Sequence, residues 1–565
     1  MKKLLLFLCL AAIFQTHSQE DAWIFLKDKP NKATFINNPL KMLSQRALDR
    51  RGVQQVALDS LDVPVDETYY NQIKNDENLT VLAKSKWLNA IHVQGQLKDI
   101  NDLLTTYSFI DHIEFANKSL NRFGKSTAKA KKKSPNYHNK FNQTLTDHNY
   151  GEADNQIKML KGDYLHAQGL TGGNQIIAII DAGFPNVNTL DAFQRIRDNN
   201  QILGGYNFAD RNTNFYTRNS HGTHVLSSIA GYLENEFVGT APDAKFYLFI
   251  SEIAETETVL EETLWVEAAE RADSLGVDVI NTSLGYTTYD NPNHSHTYAD
   301  LDGKTTFITR GAEIGASRGM LLVNSAGNSG SRSWKYIGAP ADAPSIITVG
   351  AVNASGEIAA FSSFGPTSDG RIKPEILGQG QNPALINYIS GAVTKSSSGT
   401  SFSSPIMAGL IACLNQQIPA FVKGNGKKNS YDSSVGGYYN NYLKEGLYES
   451  ADKYNNPLEQ HGYGIPNFEL AQSIYYSLVP SSVDDHFLSE LTIYPNPTTE
   501  LFTISSEILD LDKFKIQIFN ILGKKVLEKV NTNSSTVDIS FLESGVYMLK
   551  ISNENQHKTL KLIKK

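Results

Sequence analysis

The chain has 565 residues, 40% hydrophobic and 20% charged, with 52 Lys and Arg against 59 Asp and Glu and a formal net charge of −7. At roughly 150 residues per domain this length holds about three to four folding units, and the composition excludes collagen-like, disordered and multi-span membrane classes. A mildly acidic chain lacks the broad cationic field that binds nucleic acid, and two cysteines, Cys9 and Cys413, exclude a disulfide framework and a Cys-based zinc cluster.

In chain order, Met1-Lys2-Lys3 gives a basic start and residues 4–14 an apolar run of 11, too short to span a bilayer. Thr16 and Ser18 supply the small residues that precede a cleavage site, so residues 1–18 read as a secretory signal peptide. Its removal takes Cys9 and leaves Cys413, in the apolar helical context Ile411-Ala412-Cys413-Leu414, as an expected buried core thiol. No later segment has the length and apolarity of a transmembrane helix. Residues 19–120 mix strand-like runs (Ile91-His92-Val93, Phe109-Ile110) with amphipathic stretches and predict a small α+β unit. Residues 121–149, with KSTAKAKKK at 125–133, bury too little apolar surface to pack and read as an exposed linker; a nucleic-acid or localisation signal is the alternative for the basic run.

From 150 to 478 short apolar runs at 175–180, 245–250, 277–281, 320–324 and 346–349 alternate with helical patterns such as 260–275. Continuous apolar strands between helices predict an α/β domain, a parallel sheet flanked by helices. A polar hinge over 479–487 leads into 488–565, where Ile516 and Ile518 alternate with Lys515 and Gln517, and Tyr547, Leu549 and Ile551 with Met548 and Lys550. That alternation predicts a C-terminal β-sandwich. No repeat period runs along the chain.

Three motifs carry the chemistry: Asp181 directly after a buried strand, His221-Gly222-Thr223-His224-Val225, and Gly399-Thr400-Ser401-Phe402-Ser403-Ser404-Pro405. Acyl transfer by serine needs a hydroxyl, an imidazole to take its proton and a buried carboxylate to orient that imidazole. Gly399 leaves backbone room before Ser401, and a helical run from Pro405 to Leu414 places Ser401 near orphan N–H groups that favour developing negative charge. Asp181 ends a strand, where crevices form in open α/β sheets. Asn328, in Ser325-Ala326-Gly327-Asn328-Ser329 after another apolar strand, is a side-chain donor for an oxyanion together with the Ser401 N–H.

These motifs resemble the subtilisin-like serine peptidases, whose order along the chain is also Asp, His, Ser. The resemblance covers about 150–478 and includes Asn281-Thr282-Ser283-Leu284-Gly285, similar to the family's substrate-edge strand. It implies a subtilisin-like fold and endopeptidase activity, with Asp181, His221 and Ser401 as catalytic triad, Asn328 in the oxyanion hole, and Ser283, Leu284 and Gly285 binding substrate. It implies no cofactor for the chemistry; structural calcium is common in such relatives, although no ligand set can be named here. In one departure, Ala182 stands where the family usually has a hydroxyl residue after the catalytic Asp, removing one hydrogen bond to the carboxylate. Residues 19–120 look like a propeptide that assists folding and inhibits until cleaved. Tyr494-Pro495-Asn496-Pro497, the run Gly545 to Ile551 and the Lys-rich end resemble the sorting domain of type IX secretion in Bacteroidetes, with a carbohydrate-binding or spacer module as the alternative. The partners implied are protein or peptide substrates and the secretion machinery, with no nucleic acid, and the location is extracellular or on the outer cell surface. A non-catalytic surface protein and an esterase or peptide ligase with the same acyl-enzyme chemistry are the competing classes.

Three weaker features remain. His294, His296, Asp300 and Asp302 form either a cation loop or, in the plainer reading, a solvated loop. His224, one turn after His221, reads as a hydrogen-bonded structural histidine. Glu252, Glu255, Glu257, Glu261 and Glu262 either attract basic substrate side chains or, more simply, stay solvated while Glu261 and Glu262 favour a helix N-terminus.

Overall fold

The computed structural model describes residues 19–121, 149–417, 438–478, 492–505, 515–520, 524–530, 536–552 and 557–565. Residues 1–18, read above as a signal peptide, lie outside the described residues, as do most of the expected linker and the expected hinge. The chain forms two compact units, one holding residues up to 474 and the other essentially 475–565.

The first unit begins with a four-stranded antiparallel sheet of order β2-β3-β1-β4: β1 (Gln19–Leu26), β2 (Leu79–Ser85), β3 (Ala90–Gln96) and β4 (Ile110–Phe115). Helices α1 (Gln45–Val53), α2 (Glu67–Lys74) and α3 (Leu97–Thr106) accompany it, and Ser44 and Asp66 cap α1 and α2 by accepting orphan N–H groups. Successive side chains of a strand point to opposite faces. In β1, Ala22, Ile24 and Leu26 accordingly pack with Ile73, Ile100 and Leu103 of α2 and α3. Trp23 and Phe25 face the other way, into a core built by the helices of the following domain.

That domain is a seven-stranded parallel sheet of order β11-β10-β9-β8-β5-β7-β6. Its strands are β5 (Ile176–Asp181), β6 (Ile202–Asn207), β7 (Lys245–Ile250), β8 (Val279–Thr282), β9 (Leu321–Ser325), β10 (Ile347–Val352) and β11 (Ile376–Gln379). The helices are α4 (His221–Ala230), α5 (Leu260–Leu275), α6 (Phe307–Ser317) and α7 (Thr400–Asn415), followed by α8 (Tyr438–Glu449) and α9 (Phe468–Leu478). Ala178, Ile180, Ile280 and Leu322 share a core with α5 and α6. Ile179, Asn281 and Val323 lie in register on the opposite face, where Asn281 Oδ1 accepts from Ser404 Oγ of α7 at 2.9 Å. Every residue of α7 is buried, the pattern of a helix enclosed on all sides. From β5 the chain builds β6 and β7 on one side and then crosses to β8 on the other. The order therefore reverses between β5 and β8, and a crevice opens at their carboxyl ends.

The parallel sheet flanked by helices is as expected, but three details differ. Two edge strands, β6 and β11, carry too few apolar residues to register in the sequence: β6 holds Gly204 and Gly205, and β11 has four residues. Helix α7 begins at Thr400, five residues before Pro405, which sits inside it. Third, nothing in the sequence reading indicates that α5, whose ends match it, is covered on its far face as well. Glu270 and Asp273 are buried beneath the N-terminal sheet. There Glu270 accepts from Ser85 Oγ (2.6 Å) and the Trp87 N–H, Asp273 pairs with Arg50 and with Arg51 (2.7 Å), and Trp23 donates to Thr263 Oγ1 at 2.9 Å while stacking on Phe307.

The second unit has a three-stranded sheet, β12 (Thr492–Tyr494), β13 (Leu501–Ser505) and β16 (Thr536–Asp538), and a four-stranded sheet of β14 (Lys515–Asn520), β15 (Lys525–Val530), β17 (Gly545–Ser552) and β18 (His557–Lys564). All pairings are antiparallel. Phe502, Ile504 and Val537 of one sheet share a core with Ile516, Ile518, Leu549 and Ile551 of the other, so the alternation in the sequence closes a sandwich.

Candidate active site

Asp181 is the last residue of β5 and fully buried. Its Oδ1 accepts from the Ala182 N–H at 2.7 Å and meets His221 Nδ1 at 2.7 Å. Its Oδ2 is buried with no hydrogen-bond partner among the described residues, and Ala182 has no hydroxyl to offer it. His221 opens α4; the Asn219 side chain accepts its backbone N–H at 2.9 Å and sets where the helix starts. The next residue must be glycine, because a Cβ on Gly222 would stand 2.4 Å from the Gly183 carbonyl oxygen. Burial disfavours a charged His221, but the Asp181 carboxylate outweighs it and the imidazole pKa is raised. Contrary to expectation, His224 makes no side-chain hydrogen bond among the described residues; its ring packs edge-on to Tyr388.

Ser401 lies in the first turn of α7, and its N–H has no acceptor among the described residues. Pro405 has no N–H to give to the Ser401 carbonyl, and the Ser283 hydroxyl donates to it instead at 2.8 Å. In return Ser401 Oγ donates to the Ser283 carbonyl at 3.3 Å. Asn328 Oδ1 accepts from the Thr400 N–H (2.9 Å) and hydroxyl (3.1 Å), which leaves its NH₂ for the crevice. Gly399 is extended at φ 165, and a Cβ there would sit 3.4 Å from that NH₂; its room serves the amide more than the backbone.

A cavity of about 420 Å³ is lined by His221, Ser401 and Asn328 together with Ser283, Leu284 and Gly285. Gly285 is exposed, and its backbone N–H and carbonyl pair with nothing among the described residues. The structure thus brings His221, Ser401, Asn328, Ser283, Leu284 and Gly285 to one crevice, with Asp181 buried behind His221. It adds three that the sequence did not single out: Thr400, which fixes the Asn328 amide; Asn219, at the start of α4; and Tyr286, whose hydroxyl donates to Glu252 Oε2 at 2.6 Å. Thr400 stood inside the recognised motif; the other two carried no local signal.

No group of three or more His, Cys, Asp or Glu that could hold a metal ion occurs among the described residues. The loop at 294–302 is only partly solvated, with Thr297 and Ala299 exposed. His294 and His296 are buried, His296 pairs with Glu262 at 2.7 Å, and Asp300 pairs with Lys118 at 2.7 Å. Cys413 is buried, with Sγ 3.2 Å from the Thr240 carbonyl, and burial pushes its thiol far up. No helix among the described residues is long and apolar enough to cross a membrane.

A doubly wound α/β protein with serine, imidazole and carboxylate converging on its switch-point crevice belongs to a small set of architectures. A family model described as the subtilase family matches residues 172–465, just over half of the chain, and the chain belongs to that family. A Bacteroidota peptidase S8 propeptide model matches 21–136, and a secretion system C-terminal sorting domain model matches 492–565. Subtilisin NAT from Bacillus subtilis subsp. natto is 32% identical over 273 residues, 47% of this chain and 61% of that protein, so the chain spans less than two-thirds of that relative. Subtilisin from Bacillus pumilus is 31% identical over 273 residues, 47% of this chain and 85% of that protein. Among solved structures, the prenylagaramide maturation protease PagA aligns with TM-score 0.41 and 22% identity over 56% of this chain and 98% of its own.

Proposed function

We propose that the chain is a secreted serine endopeptidase, with residues 19–120 as propeptide and 488–565 as sorting domain. The observation that carries this reading is the His221–Asp181 hydrogen bond of 2.7 Å in the same crevice as Ser401 and a pre-set Asn328 amide. The Asp181 carboxylate accepts a hydrogen bond from Nδ1–H of the neutral imidazole, which leaves Nε2 as the proton acceptor. The Ser401 hydroxyl then turns from the Ser283 carbonyl to Nε2 as substrate arrives, as catalytic hydrogen bonds tighten in the complex. Oγ attacks the scissile carbonyl carbon, and His221 takes the hydroxyl proton. The oxyanion receives the free Ser401 N–H and the Asn328 NH₂. His221 gives its proton to the leaving amine as the C–N bond breaks, and water, deprotonated by His221, releases the acyl group. The unpaired backbone at Gly285 supports Ser283, Leu284 and Gly285 as an edge for an extended peptide.

The chemistry needs no cofactor in this scheme. The likeness to subtilisins leaves room for structural calcium, for which the described residues offer no cluster.

A fluorophosphonate probe and casein cleavage test the reading. Ser401→Ala is expected to lose labelling and on the order of 10⁶ in rate, whereas Asn328→Ala keeps the nucleophile and loses about 10²–10³. Substantial cleavage by purified Ser401→Ala protein would overturn the assignment, and hydrolysis of esters but not casein would point to an esterase.

A further inference from the structure

The five glutamates of the 252–262 segment have separate fates. Glu262 is buried and accepts from His296, the Ile308 N–H and Tyr289. Glu261 accepts the N–H groups of Ile253 (2.8 Å) and Thr258 (2.6 Å) and closes the start of α5. Glu255 is exposed beside Arg218. Glu252 and Glu257 alone line the cavity that holds Ser401 and His221. Glu257 also lines an adjoining cavity of about 460 Å³ with Asp290 and Arg332.

Neither carboxylate has a cation of this chain within ion-pair distance among the described residues. Glu252 accepts one hydrogen bond, from Tyr286, and the Glu257 side chain accepts none. Glu252 and Glu257 are half-buried, whereas Asp273 in the same unit is matched by Arg50 and Arg51, Glu375 by Lys373 and Glu262 by His296. An unmatched carboxylate withdrawn from water is costly, and a cation brought by a ligand removes that cost. The nucleophile in the same cavity marks it as the place where a peptide must lie.

We infer that Glu252 and Glu257 make this a peptidase selective for substrates with a Lys or Arg side chain close to the scissile bond, the cationic head lying between two carboxylates that form no ion pair among the described residues. The inference rests on the peptidase reading above and names its substrate class. Burial, with Asp181 adding to it against the Tyr286 bond, pushes Glu252 up to about 7. Burial, Glu252 and Asp290 push Glu257 up to about 7 as well. A raised carboxyl is neutral below its pKa and charged above it, so the preference for a cation is weak in acid and strong in mild alkali. The groups facing the pair are Asp181, His221, Tyr286, Tyr289, Glu261, Asp290 and Arg332. His221 titrates nearby and affects all peptides alike, so the readout is a ratio.

The test uses the secreted, processed protein and peptide pairs that carry either Lys or its uncharged isostere norleucine at each position flanking the cut. The kcat/KM ratio of Lys to norleucine is expected to reach roughly tenfold at one position at about pH 8.5 and to fall toward unity at about pH 5.5. Glu257→Gln and Glu252→Gln should each lower the ratio at about pH 8.5, and Glu255→Gln should not. A ratio near unity at every position, or an equal loss in Glu255→Gln, would overturn the inference while leaving the peptidase reading intact. No turnover of any peptide by a correctly folded protein would overturn both.

Discussion

At the residue scale, the proposed mechanism makes His221 the group whose environment decides the working pH. Asp181 raises its pKa against the effect of burial. The neutral imidazole that would accept the serine proton in the proposed mechanism therefore predominates only above the ordinary value of about 6.5. The acid limb of kcat/KM is expected above that value, and Asp181→Asn should shift it downward and cut the rate by about 10⁴. A pH–rate profile of both proteins on a peptide without titrating groups checks the sign: a limb that stays in place in Asp181→Asn would mean that another group controls it. Among the described residues Asp181 is held through Oδ1 only, and the alanine at 182 has no hydroxyl to give Oδ2. The sequence already identified this departure, because it depends on the neighbouring residue and on nothing distant.

At the scale of elements, α5 decides how the N-terminal domain and the peptidase domain join. One face of the helix lies on the sheet, and the other is covered by β1 and β2 and carries Asp273 under Arg50 and Arg51. Burial opposes the Asp273 charge, but Arg51 and Arg50 prevail and hold its pKa below the usual range. The stability it contributes is present above the ordinary carboxylate value and is lost as pH falls through the depressed one. Arg51 also pairs with Asp62 at 2.6 Å, so Arg51→Leu leaves two carboxylates short of a partner. The expected loss is roughly 3–5 kcal/mol, measured by urea unfolding in the Ser401→Ala background, where self-cleavage cannot confuse the result. A loss well under 1 kcal/mol would mean that water replaces the guanidinium at no cost.

At the scale of the whole molecule, the two compact units predict separable roles. Deleting 488–565 removes the strands of the second unit together with their own core and touches no residue of the crevice. The truncated protein is expected to keep its kcat/KM on casein when purified and to accumulate inside the outer membrane of its native host. Normal extracellular yield of the truncated form in that host, measured by immunoblot of medium and periplasm, would rule out a sorting role for the tail.

The sequence by itself determined the elements whose signal is local: the central strands, buried on both faces and hence continuously apolar; the ends of α5; the period of two in the sandwich; and the short motifs around Asp181, His221, Ser401 and Asn328. It could not show what depends on partners hundreds of residues away. Edge strands β6 and β11 are defined by pairing more than by composition. The exchange of hydrogen bonds between Ser283 and Ser401 spans 118 residues. Glu252 and Glu257 face the crevice while Glu261 and Glu262 turn into the core. All four belong to one acidic run, and only the packing of α5 against the sheet and the N-terminal domain separates them. A carboxylate's role follows from the charges and cavities around it, and tertiary structure alone assembles those.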